Sequence, residues 1–339
     1  MQHIAPRPNR RQVLASALGF AATPLGYSQV PAQPVPYVDE TWQDARRQRA
    51  VPVRIRWPSS LAPADGWPVV IYSHGLGGSR AGGEVWGSAW AAAGFLVLHL
   101  QHAGSDFDAV MQALVKSRSR AGLQEVASAQ QLLARIDDVV FAIDEIARRK
   151  NDDRAIDKAW RFVRTDGVGV AGHSFGAHTA LGVGGQAYPQ RGALREPRIA
   201  ALVAFSPTLP AAGDAVRAFT AIQRPTLCLT GTRDDDVIGN GATADKRAAV
   251  YGALPAGHKA MLLLKDADHM TFGGGRGEAG QGQMRPREAA TIQLQPQHHA
   301  LVAMITTDWW RAHLMGDSQA RARLQKPMGL AALDTWQTG

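Results

Sequence analysis

The chain has 339 residues, of which 45% are hydrophobic and 19% are charged. This length and composition can bury a large core and exclude collagen-like, coiled-coil and wholly disordered proteins. Lysine and arginine exceed the acidic residues by eight, yet they are scattered rather than clustered on one predicted helix, which argues against a nucleic-acid partner.

The first 32 residues are predicted to be an export signal. They hold three arginines and no acidic residue, and their apolar run over residues 13–22 is too short to span a bilayer. The segment "NRRQVLA" resembles a bacterial twin-arginine signal, and "VPA" supplies small residues at a cleavage position. We therefore expect a periplasmic or secreted mature domain over residues 33–339, without a stable membrane span. A disordered cationic tail is the alternative.

The mature chain alternates predicted strands and helices. An alternating pattern at residues 51–58 predicts a half-exposed strand, and continuous apolar runs predict strands that are covered on both faces. These runs lie at residues 67–75, 94–102, 167–174, 199–207, 225–232 and 258–269. Between and after them, helical spacing of apolar residues is clearest at 135–150 and at about 297–314.

This order predicts an α/β protein with a mostly parallel, doubly wound sheet and helices on both faces. Ligands of such sheets bind beyond the carboxyl ends of the strands. Residues 104–134 lie between a strand and a helix and mix apolar with basic residues. They are interpreted as a lid over the pocket or as an ordinary surface crossover.

The segment "AGHSFGAH" (171–178) follows a predicted strand and contains the pattern G-x-S-x-G. A strained turn of this kind lifts the hydroxyl of Ser174 above the sheet, and glycines let the neighbouring backbones approach. The motif alone does not separate a nucleophile from a small residue in a tight turn. The decision depends on whether the sequence also supplies an acid and a base.

Both partners follow in the order serine, acid, histidine that this fold uses. "LTGTRDDD" places Asp234, Asp235 and Asp236 at the end of one strand, and "DADHMTF" places His269 after the next. The histidine would take the serine proton, and one aspartate would orient the imidazole. Three adjacent carboxylates repel one another, so only one of them is expected to be buried.

The sequence also contains candidate hydrogen-bond donors for a negatively charged reaction intermediate. "SHGLGG" (73–78) follows an early strand, and the backbone N–H of Leu76 and that of Phe175, next after the serine, are predicted to form the oxyanion hole. The alternative is a phosphate-binding loop, but the segment lacks both the P-loop ending and the spacing of a dinucleotide fingerprint.

These motifs together resemble the α/β-hydrolase superfamily, and within it the dienelactone-hydrolase-like and platelet-activating-factor-acetylhydrolase-like serine esterases. The resemblance extends over residues 71–275 and implies a cofactor-free ester hydrolase with Ser174, Asp234 and His269 as its triad. Asp234 is preferred as the acid because the superfamily usually places this residue three positions after a glycine such as Gly231. One departure makes dienelactone a poor expectation for the substrate. Dienelactone hydrolases use a cysteine nucleophile, whereas the single cysteine, Cys228, lies inside a predicted strand.

The predicted function is hydrolysis of a small-molecule or lipid carboxylic ester through an acyl-enzyme. A phospholipid acetylhydrolase or a lysophospholipase is the alternative within this chemistry. Two rivals belong to other classes. The first is a metal-dependent hydrolase that would use His74, His102, His173, His269 and Asp234, although the sequence lacks His-Glu-x-x-His or a similar ligand spacing. The second is a non-catalytic binding protein on the same fold. The sequence leaves the oligomeric state open.

Overall fold

The computed structural model describes residues 35–117, 121–152, 158–189, 191–211, 213–239, 241–275 and 287–339. The predicted export signal lies outside the described residues. The strands are β1 (Val38–Asp44), β2 (Arg49–Arg56), β3 (Val69–Ser73), β4 (Leu96–Leu100), β5 (Val168–His173), β6 (Ala187–Tyr188), β7 (Gly192–Ala193), β8 (Ile199–Phe205), β9 (Thr226–Arg233), β10 (Lys259–Asp268) and β11 (Thr335–Thr338). The α-helices are α1 (Glu84–Ala92), α2 (Phe107–Ser117), α3 (Ala121–Val126), α4 (Ala129–Lys150), α5 (Phe175–Gly184), α6 (Ala215–Phe219), α7 (Ala244–Ala253), α8 (Ala289–Leu314) and α9 (Ser318–Gln325).

In this part of the chain, nine strands form one sheet in the order β1-β2-β4-β3-β5-β8-β9-β10-β11. The six central strands from β4 to β10 run parallel, while β1, β2 and β11 pair antiparallel at the two edges. The predicted mostly parallel α/β sheet is therefore confirmed. Each predicted apolar run corresponds to one of the central strands.

Two hydrophobic cores cover the two faces of the sheet. One core contains Ile136 and Val139 of α4 together with Leu181 of α5, and the other contains the tryptophans of α1 and α8. Burial of apolar area on this scale is the main stabilising contribution to such a fold, at roughly 25 cal/mol per Å². Because helices cover both faces, the ends of the strands are the places left for a site.

The segment predicted as a lid folds into α2, α3 and the beginning of α4. The N–H of Phe107 in α2 donates to the carbonyl of Gly78, and Val110 lies against Gly77. The helix α2 thus packs on the glycine-rich loop that follows β3. A lid function of this segment stays a prediction.

In the described ranges, no helix combines the length and the apolar character needed to cross a membrane.

Candidate active site

Ser174 occupies the sharp turn between β5 and α5. Its φ of 55° and ψ of −114° lie in a region that costs a non-glycine residue of order 1–3 kcal/mol. The turn depends on Gly172 and Gly176, because a Cβ at Gly176 would overlap the carbonyl oxygen of Ser73 and one at Gly172 would overlap that of Gly176. The backbone N–H of Ser174 donates to Phe205 over 2.9 Å, which ties the turn to β8. The elbow is thus built as the glycine spacing predicts.

Asp234 follows β9 directly and is completely buried. Its Oδ1 accepts a hydrogen bond of 2.7 Å from Nδ1 of His269, and its Oδ2 accepts one of 2.9 Å from the hydroxyl of Thr230. Burial alone raises the pKa of this carboxyl, but the neighbouring His269 and Arg247 hold the pKa below its ordinary value. Asp234 is therefore an ionised acceptor that fixes the orientation of the His269 ring.

The other two candidate acids face elsewhere. Asp235 is exposed, and its Oδ1 accepts the N–H of Ala244 at 3.2 Å. Asp236 accepts backbone N–H groups of the following loop, from Ile238 at 2.8 Å and Gly239 at 2.7 Å. Of the three carboxylates, only Asp234 is hydrogen-bonded to His269 in the described residues.

The histidine turn lies against the serine elbow. His269 begins a short 3-10 helix after β10 and is buried. His173, which directly precedes Ser174, donates from Nε2 to the backbone carbonyl of His269 over 2.9 Å, and the two rings lie 4.6 Å apart. The structure thus brings the three residues of the predicted triad to one end of the sheet. Their catalytic roles stay predictions.

The predicted oxyanion donors flank the same serine. A Cβ on Gly75 would lie 3.5 Å from Cβ of Ser174, so the loop that carries Leu76 passes beside the nucleophile. Phe175 is the first residue of α5, and the backbone N–H groups at the N-terminus of a helix, which have no acceptor within the helix, favour negative charge. In the described part of the chain, no backbone acceptor takes the N–H of Leu76 or that of Phe175.

Arg247 of α7 is a part of the site that the sequence analysis did not find. Its Nε lies 2.9 Å from Oδ1 of Asp234 and donates to the carbonyl of the same residue at 2.8 Å, while Nη1 donates to the carbonyl of Ser206 at 2.7 Å. This arginine neutralises and fixes the buried acid. No motif marks it, since a basic residue on a helix is usually solvated.

A second Ser-His-Asp arrangement lies entirely inside the protein. His102 hydrogen-bonds through Nδ1 to Oδ2 of Asp138 and through Nε2 to the hydroxyl of Ser73, both at 2.9 Å. All three side chains are fully buried, so substrate has no access to this serine. The sequence did offer a signal for this group, because Asp138 is a charged residue within the apolar stripe of α4.

The histidines do not assemble into the alternative metal site. The ring nitrogens of His74 and His102 are occupied by protein partners, and Nε2 of His173 is held by the carbonyl of His269. Within the ranges that the structure describes, no group of three or more histidine, cysteine, aspartate or glutamate side chains is placed to hold a metal ion. Cys228 is buried in β9, and burial raises the pKa of its thiol to about 12, which makes it a poor nucleophile.

Residues 46–196 match the family model of platelet-activating factor acetylhydrolase, isoform II. The chain has the α/β-hydrolase fold. The resemblance predicted from the motifs is thus confirmed, and an ester hydrolase of the serine type is the activity that this family implies. The matched segment contains Ser174 and both predicted oxyanion donors, whereas Asp234 and His269 lie beyond it. A search of the curated proteins found no match.

Proposed function

We propose that this α/β-hydrolase is an exported, cofactor-free carboxylic-ester hydrolase that works through an acyl-enzyme. The observation that carries the proposal is the hydrogen bond of 2.7 Å between the buried Asp234 and Nδ1 of His269. With Nδ1 donating its proton to the aspartate, Nε2 of the neutral imidazole is the nitrogen that can accept a proton. This is the tautomer that a general base beside a serine requires.

In the proposed reaction, Oγ of Ser174 attacks the ester carbonyl carbon while its proton passes to Nε2 of His269. The N–H groups of Leu76 and Phe175 stabilise the tetrahedral oxyanion, an interaction for which one donor contributes about 3 kcal/mol in comparable sites. Collapse of the intermediate breaks the carbon–oxygen bond of the ester, and the leaving alcohol takes the proton from His269. Water then hydrolyses the acyl-serine by the same steps and releases the carboxylic acid.

A fluorophosphonate tests this assignment, because it adds covalently to an activated serine. The wild-type protein should be labelled at Ser174, and Ser174→Ala should lose both labelling and esterase activity. Ser79→Ala, in the loop that follows β3, is the matched control and should be labelled like the wild type. Labelling that persists in Ser174→Ala would refute the nucleophile assignment.

A phospholipid acetylhydrolase or a lysophospholipase is the second candidate. It is favoured by the description of the matching family, whose members are named for an acetylated phospholipid. Turnover of acetyl, butyryl and long-chain esters, with and without a phosphocholine headgroup, separates the candidates. A preference for short acyl chains on the phospholipid supports an acetylhydrolase, and equal turnover of simple esters supports a general esterase.

A further inference from the structure

The peptide group between Gly75 and Leu76 is held by two hydrogen bonds to its carbonyl oxygen. The carbonyl oxygen of Gly75 accepts a hydrogen bond of 2.6 Å from Nδ1 of His74 and another of 3.1 Å from the N–H of Gly78. In a planar trans peptide, the carbonyl and the following N–H point in opposite directions. Fixing the carbonyl of Gly75 therefore also fixes the direction of the Leu76 N–H.

The direction of this N–H matters because of where the peptide lies. Gly75 is packed against the elbow: a Cβ at this position would lie 3.1 Å from Nδ1 of His173 and 3.5 Å from Cβ of Ser174. With the carbonyl turned toward the side chain of His74, the N–H of Leu76 is turned away from it.

The ring of His74 has only one way to make this contact. Its Nε2 accepts the backbone N–H of His102 at 3.0 Å, so the proton of the neutral ring sits on Nδ1 and is donated to Gly75. The ring is also kept neutral, because burial and the nearby Arg135 lower its pKa well below the ordinary value. His74 is thus a donor with a fixed tautomer.

His102, whose backbone N–H binds Nε2 of His74, is itself held rigidly. The ring of His102 is locked between Asp138 and Ser73, and Asp138 in turn accepts hydrogen bonds of 2.7 and 2.9 Å from Arg49. The backbone N–H of His102 therefore cannot shift without breaking this buried array. Leaving such groups unpaired costs far more than their net contribution when paired.

We propose that His74 is a positioning residue of the oxyanion hole, which aims the Leu76 N–H by holding the carbonyl of Gly75, and that the buried Asp138–His102–Ser73 array anchors His74. The inference rests on the proposed function, since it assigns a task to residues around the same site. His74 touches neither the substrate nor the reacting atoms in this mechanism. Its contribution passes through one peptide group.

Two substitutions separate the two hydrogen bonds of the ring. The amide of His74→Asn reaches the position of Nδ1 and can still donate to Gly75, whereas the amide of His74→Gln reaches the position of Nε2 and can only replace the contact with His102. We expect kcat to fall about 100-fold or more in His74→Gln, the loss typical of one oxyanion donor, with KM changed less than about threefold. His74→Asn should recover at least tenfold of that loss. His313→Gln, in the last turn of α8, is the matched control.

The ratio of kcat/KM for an ester to that for its thionoester is the decisive readout, because a well-aimed donor favours oxygen over the larger sulfur. This ratio should fall in His74→Gln and be largely restored in His74→Asn. Equal kcat in the two variants, or a lower kcat with an unchanged ratio, would overturn the positioning role alone. Absence of Ser174-dependent esterase activity in the wild type would instead overturn the proposed function. If His74→Gln does not fold, the ester-to-thionoester ratio of His74→Asn decides. This variant retains the donor to Gly75, so loss of the wild-type preference for the ester would contradict the proposal.

Discussion

Asp234 accepts a hydrogen bond of 2.7 Å from His269, and neither residue exposes more than 3% of its surface. Such an arrangement keeps the carboxylate ionised beside the imidazole, so in the proposed mechanism the positive charge that develops on the ring has a partner ready. The two neighbouring carboxylates, Asp235 and Asp236, instead hold backbone N–H groups of the loop and of α7.

Asp234→Asn should keep the fold but lower kcat by roughly 10⁴-fold, because an amide favours the wrong tautomer of the imidazole. Asp235→Asn and Asp236→Asn are the matched controls and should cost less than about tenfold, as expected for loop carboxylates. Initial rates on a chromogenic ester measure all three. A crippled Asp236→Asn beside an active Asp234→Asn would show that the orienting acid stands two residues later.

The sequence predicted the parallel centre of the sheet because strands buried on both faces must be continuously apolar, as in β5 and β8. It did not predict β1 or β11. These strands lie at the edges and expose at least half of their residues. Their sequences, "VDETWQD" and "TWQT", are polar and leave no apolar run to detect. The helix α8 begins eight residues earlier than predicted, since Pro296 lies inside it and interrupts the helical pattern.

The same contrast holds for the candidate site. Ser174, Asp234 and His269 occupy fixed places in chain order, so motifs locate them. Arg247 and Arg135 are defined only by the three-dimensional fold: Arg135 donates to the carbonyl of His74 and lies over the ring of Phe175 at 4.5 Å. A single sequence does not distinguish such buried arginines from solvated ones.

Arg247→Met should destabilise the protein by about 3–5 kcal/mol, because it removes the cationic partner of the buried Asp234 carboxylate and the donor to two buried carbonyls. Urea unfolding monitored by tryptophan fluorescence measures the change. Lys246→Met, its exposed neighbour on α7, removes one hydrogen bond to the carbonyl of Gly241 and should cost no more than about 0.5 kcal/mol. Equal midpoints for the two variants would contradict the buried role of Arg247.

The export prediction concerns residues 1–32. Replacing Arg10 and Arg11 by lysine keeps the charge but removes the pair that a twin-arginine receptor reads, so the variant should accumulate in the cytoplasm. Fractionation of bacteria that express the full chain, with antibody detection, measures the distribution. Replacing Arg7 by lysine is the control and should leave export intact. Continued export of the double variant would point to the general secretory route.

Buried histidines predict that stability falls as the medium becomes mildly acidic. Burial lowers the pKa of His99 to about 3, of His102 to about 4 and of His173 to about 3, whereas an imidazole in the unfolded chain titrates near 6.5. Below pH 6.5 the unfolded chain therefore binds more protons than the folded protein. The contribution of these rings is fully present above pH 6.5 and is lost as the pH falls toward 4 for His102 and toward 3 for His99 and His173.

In the free energy of unfolding, these three rings alone contribute a slope of roughly 4 kcal/mol per pH unit near pH 5. Burial also lowers the pKa of His74, His178 and His313, so these rings add to the slope. Burial raises the pKa of the Asp138 carboxyl, but His102 and Arg49 outweigh this effect and lower it to about 2. This carboxyl therefore affects the pH dependence of stability only below about pH 4. His99→Asn places an amide N–H where Nδ1 of His99 meets the carbonyl of Gly82 at 2.8 Å, so this variant retains the donor and removes one titrating ring. The slope should then fall by roughly 1 kcal/mol per pH unit. Urea titrations at pH 7.5, 6.5, 5.5 and 4.5 measure the slope. The control is His258→Asn, because His258 is exposed. An unchanged slope in His99→Asn would mean that other groups cause the loss of stability in acid.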